Sequence, residues 1–228
     1  TEASYDDVTR HVITKYSSYH FVAHSDYGKR VIQLGEEPKN VFITGPLAAD
    51  SIKNNIFYSK AYIQELYNFK FKQKNILVTY HPITNNLKKT KIELFSLISF
   101  LKKQKNTQII FTFPNLDLFS KVIINKIIDF NRLNDNCLLI KTMGQKIYFS
   151  TLKYVDCVVG NSSSGVIEVP FFNIPTINIG SRQKGRIKPI SVIDSKYDEN
   201  SLEKSFKKAY SKIFLKQIKK IQKIRIKE

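Results

Sequence analysis

The chain has 228 residues, 42% apolar and 12% aromatic, which suits one large globular domain or one domain with a piece of another. No apolar run reaches bilayer length and no secretory leader opens the sequence, so a membrane-spanning or exported design is not expected. The formal net charge of +18 raises a nucleic-acid partner, but much of the Lys is spread along helices or gathered in the last stretch, and no recognised nucleic-acid motif accompanies it.

Two cysteines, Cys137 and Cys157, sit in apolar strand-like runs and read as buried free thiols, which fits a reducing cytoplasm. No Cys/His cluster suggests a metal, and no cofactor is implied. The chain starts at Thr1 and its one methionine is Met143, so it reads as a piece of a longer protein with a missing N-terminal part.

In chain order, Tyr5 to Tyr19 carries apolar residues at helical spacing, with Ser4 as N-cap and Asp6 and Asp7 in the first turn. A strand is expected at His20–Ala23, a helix at Ser25–Leu34 stopped by Gly35, and a strand at Val41–Thr44 ended by Gly45-Pro46. Ala48 to Glu65 is helical with breaks, and Phe69 to Asn75 reads as a linker. Regular alternation follows. The strands are Ile76–Tyr80, Gln108–Thr112, Cys137–Lys141, Cys157–Val159 and Thr176–Ile179. Helices are expected at Lys89–Lys103, Leu118–Phe130 and Gln145–Leu152. Such alternation implies βαβ units and a parallel α/β sheet. Glu199 to Lys227 reads as one long helix with a stripe of Leu202, Phe206, Ala209, Ile213 and Gln217. It lacks the interleaved aromatics of single-strand binders.

Ligands of parallel sheets bind at the carboxyl ends of the strands. The polar residues found there are His81 with Thr84 and Asn85, Asn115, the Thr142-Met143-Gly144 turn with Tyr148 beyond it, the Ser162-Ser163-Ser164 loop, and Ser181-Arg182. Gly160 to Gly165 is a small-residue loop between a strand and a helix start, a place where free N–H groups, hydroxyls and the helix dipole favour a phosphate. Glu168 lies about a turn further on, where a carboxylate can accept both hydroxyls of a ribose. Arg182 and Arg186 are candidate phosphate forks. The loop alone fits an ordinary turn with Ser capping a helix equally well.

The whole stretch from Gly160 to Arg186, GNSSSGVIEVP followed by PTINIGSRQKGR, resembles the C-terminal signature of the UDP-N-acetylglucosamine 2-epimerase family, nearest to its hydrolysing branch. HPITNN and FPNLD are similar to that family's histidine and asparagine motifs. The resemblance runs from Asp6-Asp7 and Arg10-His11 to Asp194. It implies two Rossmann-like halves as in GT-B glycosyltransferases. Residues 1–65 would end the first half, 66–198 would form the nucleotide-binding second half, and 199–228 a Lys-rich helix.

By the same resemblance, His81, Asn115, Met143, Tyr148, Ser162, Ser163, Glu168 and Arg182 would line a UDP site. Ser162 and Ser163 would hold phosphate oxygens, Glu168 the ribose, and Tyr148 with the Met143 backbone the uracil. His81 would stabilise the leaving diphosphate as a cationic or N–H-donating imidazole. Asp6 would be a catalytic carboxylate, with Arg10 orienting it or the sugar. The implied reaction converts UDP-N-acetylglucosamine to N-acetylmannosamine and UDP for sialic-acid-type sugars or capsule. A UDP- or GDP-linked diacetamido sugar of the legionaminic-acid route is the alternative. A GT-B glycosyltransferase would share the loop but not Asp6-Asp7 with Arg10-His11. The expected partner is the UDP-sugar, in a homodimer or homotetramer.

Overall fold

The computed structural model describes residues 5–83, 86–115 and 118–225, with residues 5–7 and 221–225 described by backbone alone. Ser4, Thr84 and Asn85, named above, lie outside the described residues, as does the side chain of Asp6. The chain divides into two compact units, Thr1–Asn55 and Ile56–Glu228.

In the first unit, α1 (Tyr5–Tyr16) precedes a parallel pair, β1 (His20–Val22) and β2 (Val41–Ile43), with α2 (Ser25–Gln33) crossing between them. Lys15 of α1 reaches the turn after α2, bonding the Leu34 carbonyl and the Glu36 carboxylate at 2.7 Å each. His24 caps α2 by accepting the Asp26 N–H. The unit ends with α3 (Ala48–Lys53).

The second unit opens with α4 (Lys60–Leu66), which packs on a later helix, α7 (Gly144–Leu152). This division falls before residue 56, earlier than the boundary after residue 65 that the sequence suggested. The Tyr58 N–H bonds the Ser150 hydroxyl at 2.9 Å, so the lead-in to α4 is already tied to the second unit.

Six parallel strands follow: β3 (Lys74–Thr79), β4 (Thr107–Thr112), β5 (Cys137–Ile140), β6 (Cys157–Gly160), β7 (Thr176–Ile179) and β8 (Val192–Ser195). Their order is β5-β4-β3-β6-β7-β8. Strands buried on both faces read as apolar runs, and β4 is buried throughout. Alternation sends Ile76, Val78 and Tyr80 to one face, where they join one core with α5 (Leu87–Lys102), α6 (Ser120–Arg132) and the tail. Leu77, Ile110 and Val158, which are register partners, face the other way. A four-residue helix, α8 (Ser164–Ile167), lies against β6 and β7. β8 was not expected; it is a short edge strand carrying Asp194 outward.

The tail is two helices, α9 (Glu199–Ala209) and α10 (Lys212–Arg225), rather than one. The chain turns at Tyr210-Ser211, and the Ser211 hydroxyl accepts the Phe214 N–H to start α10. The turn changes the buried stripe. Leu202, Phe206 and Ala209 are buried as expected, but Phe214 and Ile218 continue the core while Ile213 is 74% exposed. Asp198 caps α9, and a Lys103–Glu199 ion pair joins it to the end of α5. No helix among the described residues is long and apolar enough to cross a membrane. Both cysteines are free thiols, and burial pushes Cys137 up to about 12.

Candidate nucleotide site at the strand ends

β4 and β5 lie to one side of β3, and β6, β7 and β8 to the other. The chain returns through α7 from β5 to β6, so the connection reverses between β3 and β6. Ligands of doubly wound sheets bind in the crevice at such a reversal, beyond the carboxyl ends of the strands. His81 comes just after β3 and Asn161 just after β6.

Close approach of these two strand ends depends on Gly160, which pairs with Thr79. Its φ is +141°, and a Cβ there would stand 1.9 Å from the Thr79 carbonyl oxygen. Only glycine fits. The Asn161 N–H then donates to the Thr79 carbonyl at 3.2 Å. The Asn161 side chain accepts the His81 N–H at 2.7 Å and donates to the His81 carbonyl at 2.8 Å. In the loop after β7, Arg182 and Gln183 both donate to the Asn161 carbonyl, at 3.1 and 2.8 Å. The structure thus joins His81, the serine loop and Arg182 through one asparagine that the sequence reading did not single out. Asn161 stands inside the GNSSSG motif, which was the available signal.

His81 is buried, and burial first, then the nearby Arg182 charge, lower its pKa to about 4. The Asn115 backbone N–H donates to its Nδ1 at 3.3 Å. In the ligand-free chain both observations favour the neutral ring with the proton on Nε2, the N–H-donating one of the two forms expected. Asn115 joins the site through its backbone, while its side chain is exposed.

The serine loop departs from a simple cap. Ser163 is the N-cap of α8, yet its side chain makes no capping bond. Ser162 Oγ accepts the Ser164 N–H at 3.4 Å. Both Ser162 and Ser163 are half-buried. With four residues, α8 carries little of the expected helix dipole, so any anion preference must come from local N–H groups and hydroxyls. Gly165 presses α8 on β7: a Cβ would meet Thr176 Cγ2 at 2.6 Å.

Glu168 follows α8, and its Oε2 is buried without a hydrogen-bond partner. An unpaired buried acceptor is costly and suits a hydroxyl donor from a ligand. The Tyr148 hydroxyl, delivered by α7, is bonded to Ser164 Oγ beside Glu168. Burial, foremost, raises its pKa, so it stays protonated. Met143 is buried at the N-cap of α7, followed by Gly144 at φ +66°. Arg186 is half-buried in the loop with Arg182. Arg10 is exposed on α1 of the first unit, and only the backbone place of Asp6 on α1 is described.

A cavity of about 530 Å³ lies beyond β7 and β8, lined among others by Lys89, Glu93, Ser181, Lys188 and Tyr197. Glu93, 1% exposed, accepts from the buried Tyr80 hydroxyl at 2.8 Å, with Lys89 Nζ 3.9 Å away. Burial raises its pKa. A glutamate on a Lys-rich helix gave no sequence signal of this.

The family model for UDP-N-acetylglucosamine 2-epimerase matches residues 1–225. The chain is 41% identical over 216 residues to the GDP/UDP-N,N'-diacetylbacillosamine 2-epimerase (hydrolyzing) of Campylobacter jejuni, covering 94% of this chain and 56% of that protein. It is 33% identical over 192 residues to the UDP-N,N'-diacetylbacillosamine 2-epimerase (hydrolyzing) of Legionella pneumophila, covering 83% and 50%. The chain thus spans about half the length of the curated relatives it matches. Among solved structures, the Staphylococcus aureus MnaA–UDP co-structure shares the fold at a TM-score of 0.71 and 17% identity, over 92% of this chain and 56% of that one. With a parallel sheet that reverses beside its histidine and serine motifs, and a family match along almost its whole length, the chain belongs to the UDP-N-acetylglucosamine 2-epimerase family.

Proposed function

We propose that this chain is the nucleotide-binding part of a hydrolysing 2-epimerase, holding the diphosphate of a nucleotide-linked 2-acetamido sugar at the β3/β6 reversal. The observation that carries the reading is the Asn161 junction, which draws His81, Arg182 and the serine turn together. In this reading Ser162, Ser163 and Arg182 hold phosphate oxygens, the Glu168 carboxylate, whose Oε2 is without a partner, takes the ribose hydroxyls, and Tyr148 with the Met143 backbone bounds the base. Neutral His81 donates Nε2–H to the departing diphosphate, a stabilisation felt most as charge develops there.

The reaction breaks the anomeric C–O bond to the diphosphate with loss of the proton on carbon 2, giving a glucal. Water then adds across the double bond with inversion at carbon 2, releasing the free epimeric sugar. The carbon acid is weak, so its base must be held tightly. Asp6 is proposed for acid/base work, with Arg10 beside it.

The first unit supports a larger assembly. A two-stranded parallel sheet is not independently stable, and parallel sheets are normally covered on both faces. Here Phe21, 70% exposed, stacks on Phe42 at 5.3 Å on an open face. We assign the first unit to the end of an N-terminal Rossmann-like half, the second unit being the C-terminal half.

Two sugars fit. UDP-N-acetylglucosamine would give N-acetylmannosamine. A UDP- or GDP-linked diacetamido sugar is at least as well supported by similarity: the relative named for diacetylbacillosamine is 41% identical, the polysialic acid biosynthesis protein P7 of Escherichia coli 37%, and one named UDP-N-acetylglucosamine 2-epimerase, from Neisseria meningitidis, 26%. Calorimetric titration with UDP and GDP, then turnover assays of the chain joined to a relative's N-terminal half with each sugar, tests both levels. Binding of neither nucleotide would overturn the site.

A further inference from the structure

Asn161 is 1% exposed, and its polar groups are spent on two flanking segments. Its side chain satisfies both the N–H and the carbonyl of His81, as a β-ladder partner would. That matters because β3 ends at Thr79, so His81 has left the ladder. Its own carbonyl is gripped by Arg182 Nη1 and by Nε2 of the fully buried Gln183. One residue therefore holds, through its side chain, the backbone that carries the imidazole and contacts, through its main-chain carbonyl, the guanidinium of Arg182. Alanine there would leave both the N–H and the carbonyl of His81 unpaired, and aspartate, which only accepts, would leave the carbonyl facing a second acceptor.

We propose that Asn161 is a positioning residue: it aligns the imidazole of His81 and the guanidinium of Arg182 on the same diphosphate, donating no group to that ligand itself. This rests on the diphosphate reading above. It extends that reading from the groups that touch ligand to the one that couples them.

The test uses the 228-residue chain with nitrogen-15 histidine. Ring nitrogen spectra are read without ligand, UDP affinity by calorimetry, and folding by thermal unfolding. Asn161→Asp and Asn161→Ala are compared with Asn75→Ala. Asn75 is equally an interior asparagine, bonded to the Lys72 backbone at the opposite end of β3. Gln183→Leu loosens the grip on the Asn161 carbonyl without touching the bonds to His81, and covers the case in which the Asn161 variants do not fold. Asn161 variants should shift the His81 ring nitrogens and weaken UDP at least about tenfold, since small misplacements of binding groups are costly. Gln183→Leu should weaken UDP about threefold, and Asn75→Ala should lower the melting temperature with both readouts unchanged. Unchanged His81 nitrogens and UDP affinity within about twofold in the folded Asn161 variants, or UDP affinity within about twofold in Gln183→Leu if they do not fold, overturn the proposal. If the wild-type chain binds no UDP, the diphosphate reading fails and with it the role of Asn161 towards that ligand. The ligand-free spectra still decide the coupling to His81.

Discussion

The backbone N–H of Asn115 donates to Nδ1 of His81 at 3.3 Å, and this one bond decides which nitrogen of the ring carries the proton. It ties the end of β4 to the end of β3 at the reversal of the sheet. Burial and the Arg182 charge hold its pKa down to about 4, so in the ligand-free chain the ring is a neutral hydrogen-bond donor.

That state has a pH signature. The folded pKa, about 4, lies below the ordinary imidazole value of 6.5, so the unfolded chain binds the proton more readily. The stabilisation is therefore complete above pH 6.5 and is lost as pH falls towards 4. At about 1.4 kcal/mol per unit it amounts to roughly 3 kcal/mol. Urea unfolding at pH 7.5, 6, 5 and 4.5 should show the wild type losing more stability than His81→Gln across that window. Parallel losses in both would contradict the buried neutral ring.

Gly160 leaves no room for a side chain. Gly160→Ala places a methyl against the Thr79 carbonyl in a backbone conformation that alanine avoids. We expect a loss of more than about 3 kcal/mol, or an insoluble product. A melting temperature within two degrees of wild type would show that the strand ends separate easily.

Glu168 should report on the ribose. The wild type should prefer UDP over 2′-deoxy-UDP by about tenfold, the worth of a hydrogen bond to a charged acceptor. Glu168→Ala should bind both nucleotides alike. A preference that survives the substitution would move the ribose away from the unpaired Oε2.

Much of the fold was legible because β3, β4 and β6 are buried strands that carry apolar runs such as Ile109-Ile110-Phe111, and β7 holds Ile177 and Ile179 between turn signals. Edges were harder. β8 contains Asp194 and Ser195, so only Val192 and Ile193 mark it, too little for a strand signal. The break at Tyr210-Ser211 has no Gly or Pro and interrupts no helical period. The candidate site was legible only as a set of strand-end residues, because that rule is topological. The Asn161 junction was not, since its bonds join residues 80 positions apart. The pairing of Tyr80 with Glu93 likewise depends on how α5 packs on the sheet.

The tail offers a direct check on packing. Phe206 meets Phe100 of α5 edge to face, with centroids 5.4 Å apart. Phe206→Ala should cost about 3–5 kcal/mol, and Ile213→Ala less than about 0.5 kcal/mol. Equal costs in chemical denaturation would restore a single unbroken helix.

The central claim is that one nucleotide diphosphate is held at the β3/β6 reversal, and amide-resolved NMR of the chain titrated with UDP tests it most directly. The account predicts saturable shifts at His81, Asn161, Ser162, Ser163, Glu168 and Arg182, weakened together by Arg182→Lys because lysine lacks the planar fork. Shifts confined to the Lys89–Glu93–Lys188 cavity, or none at the reversal, would contradict it.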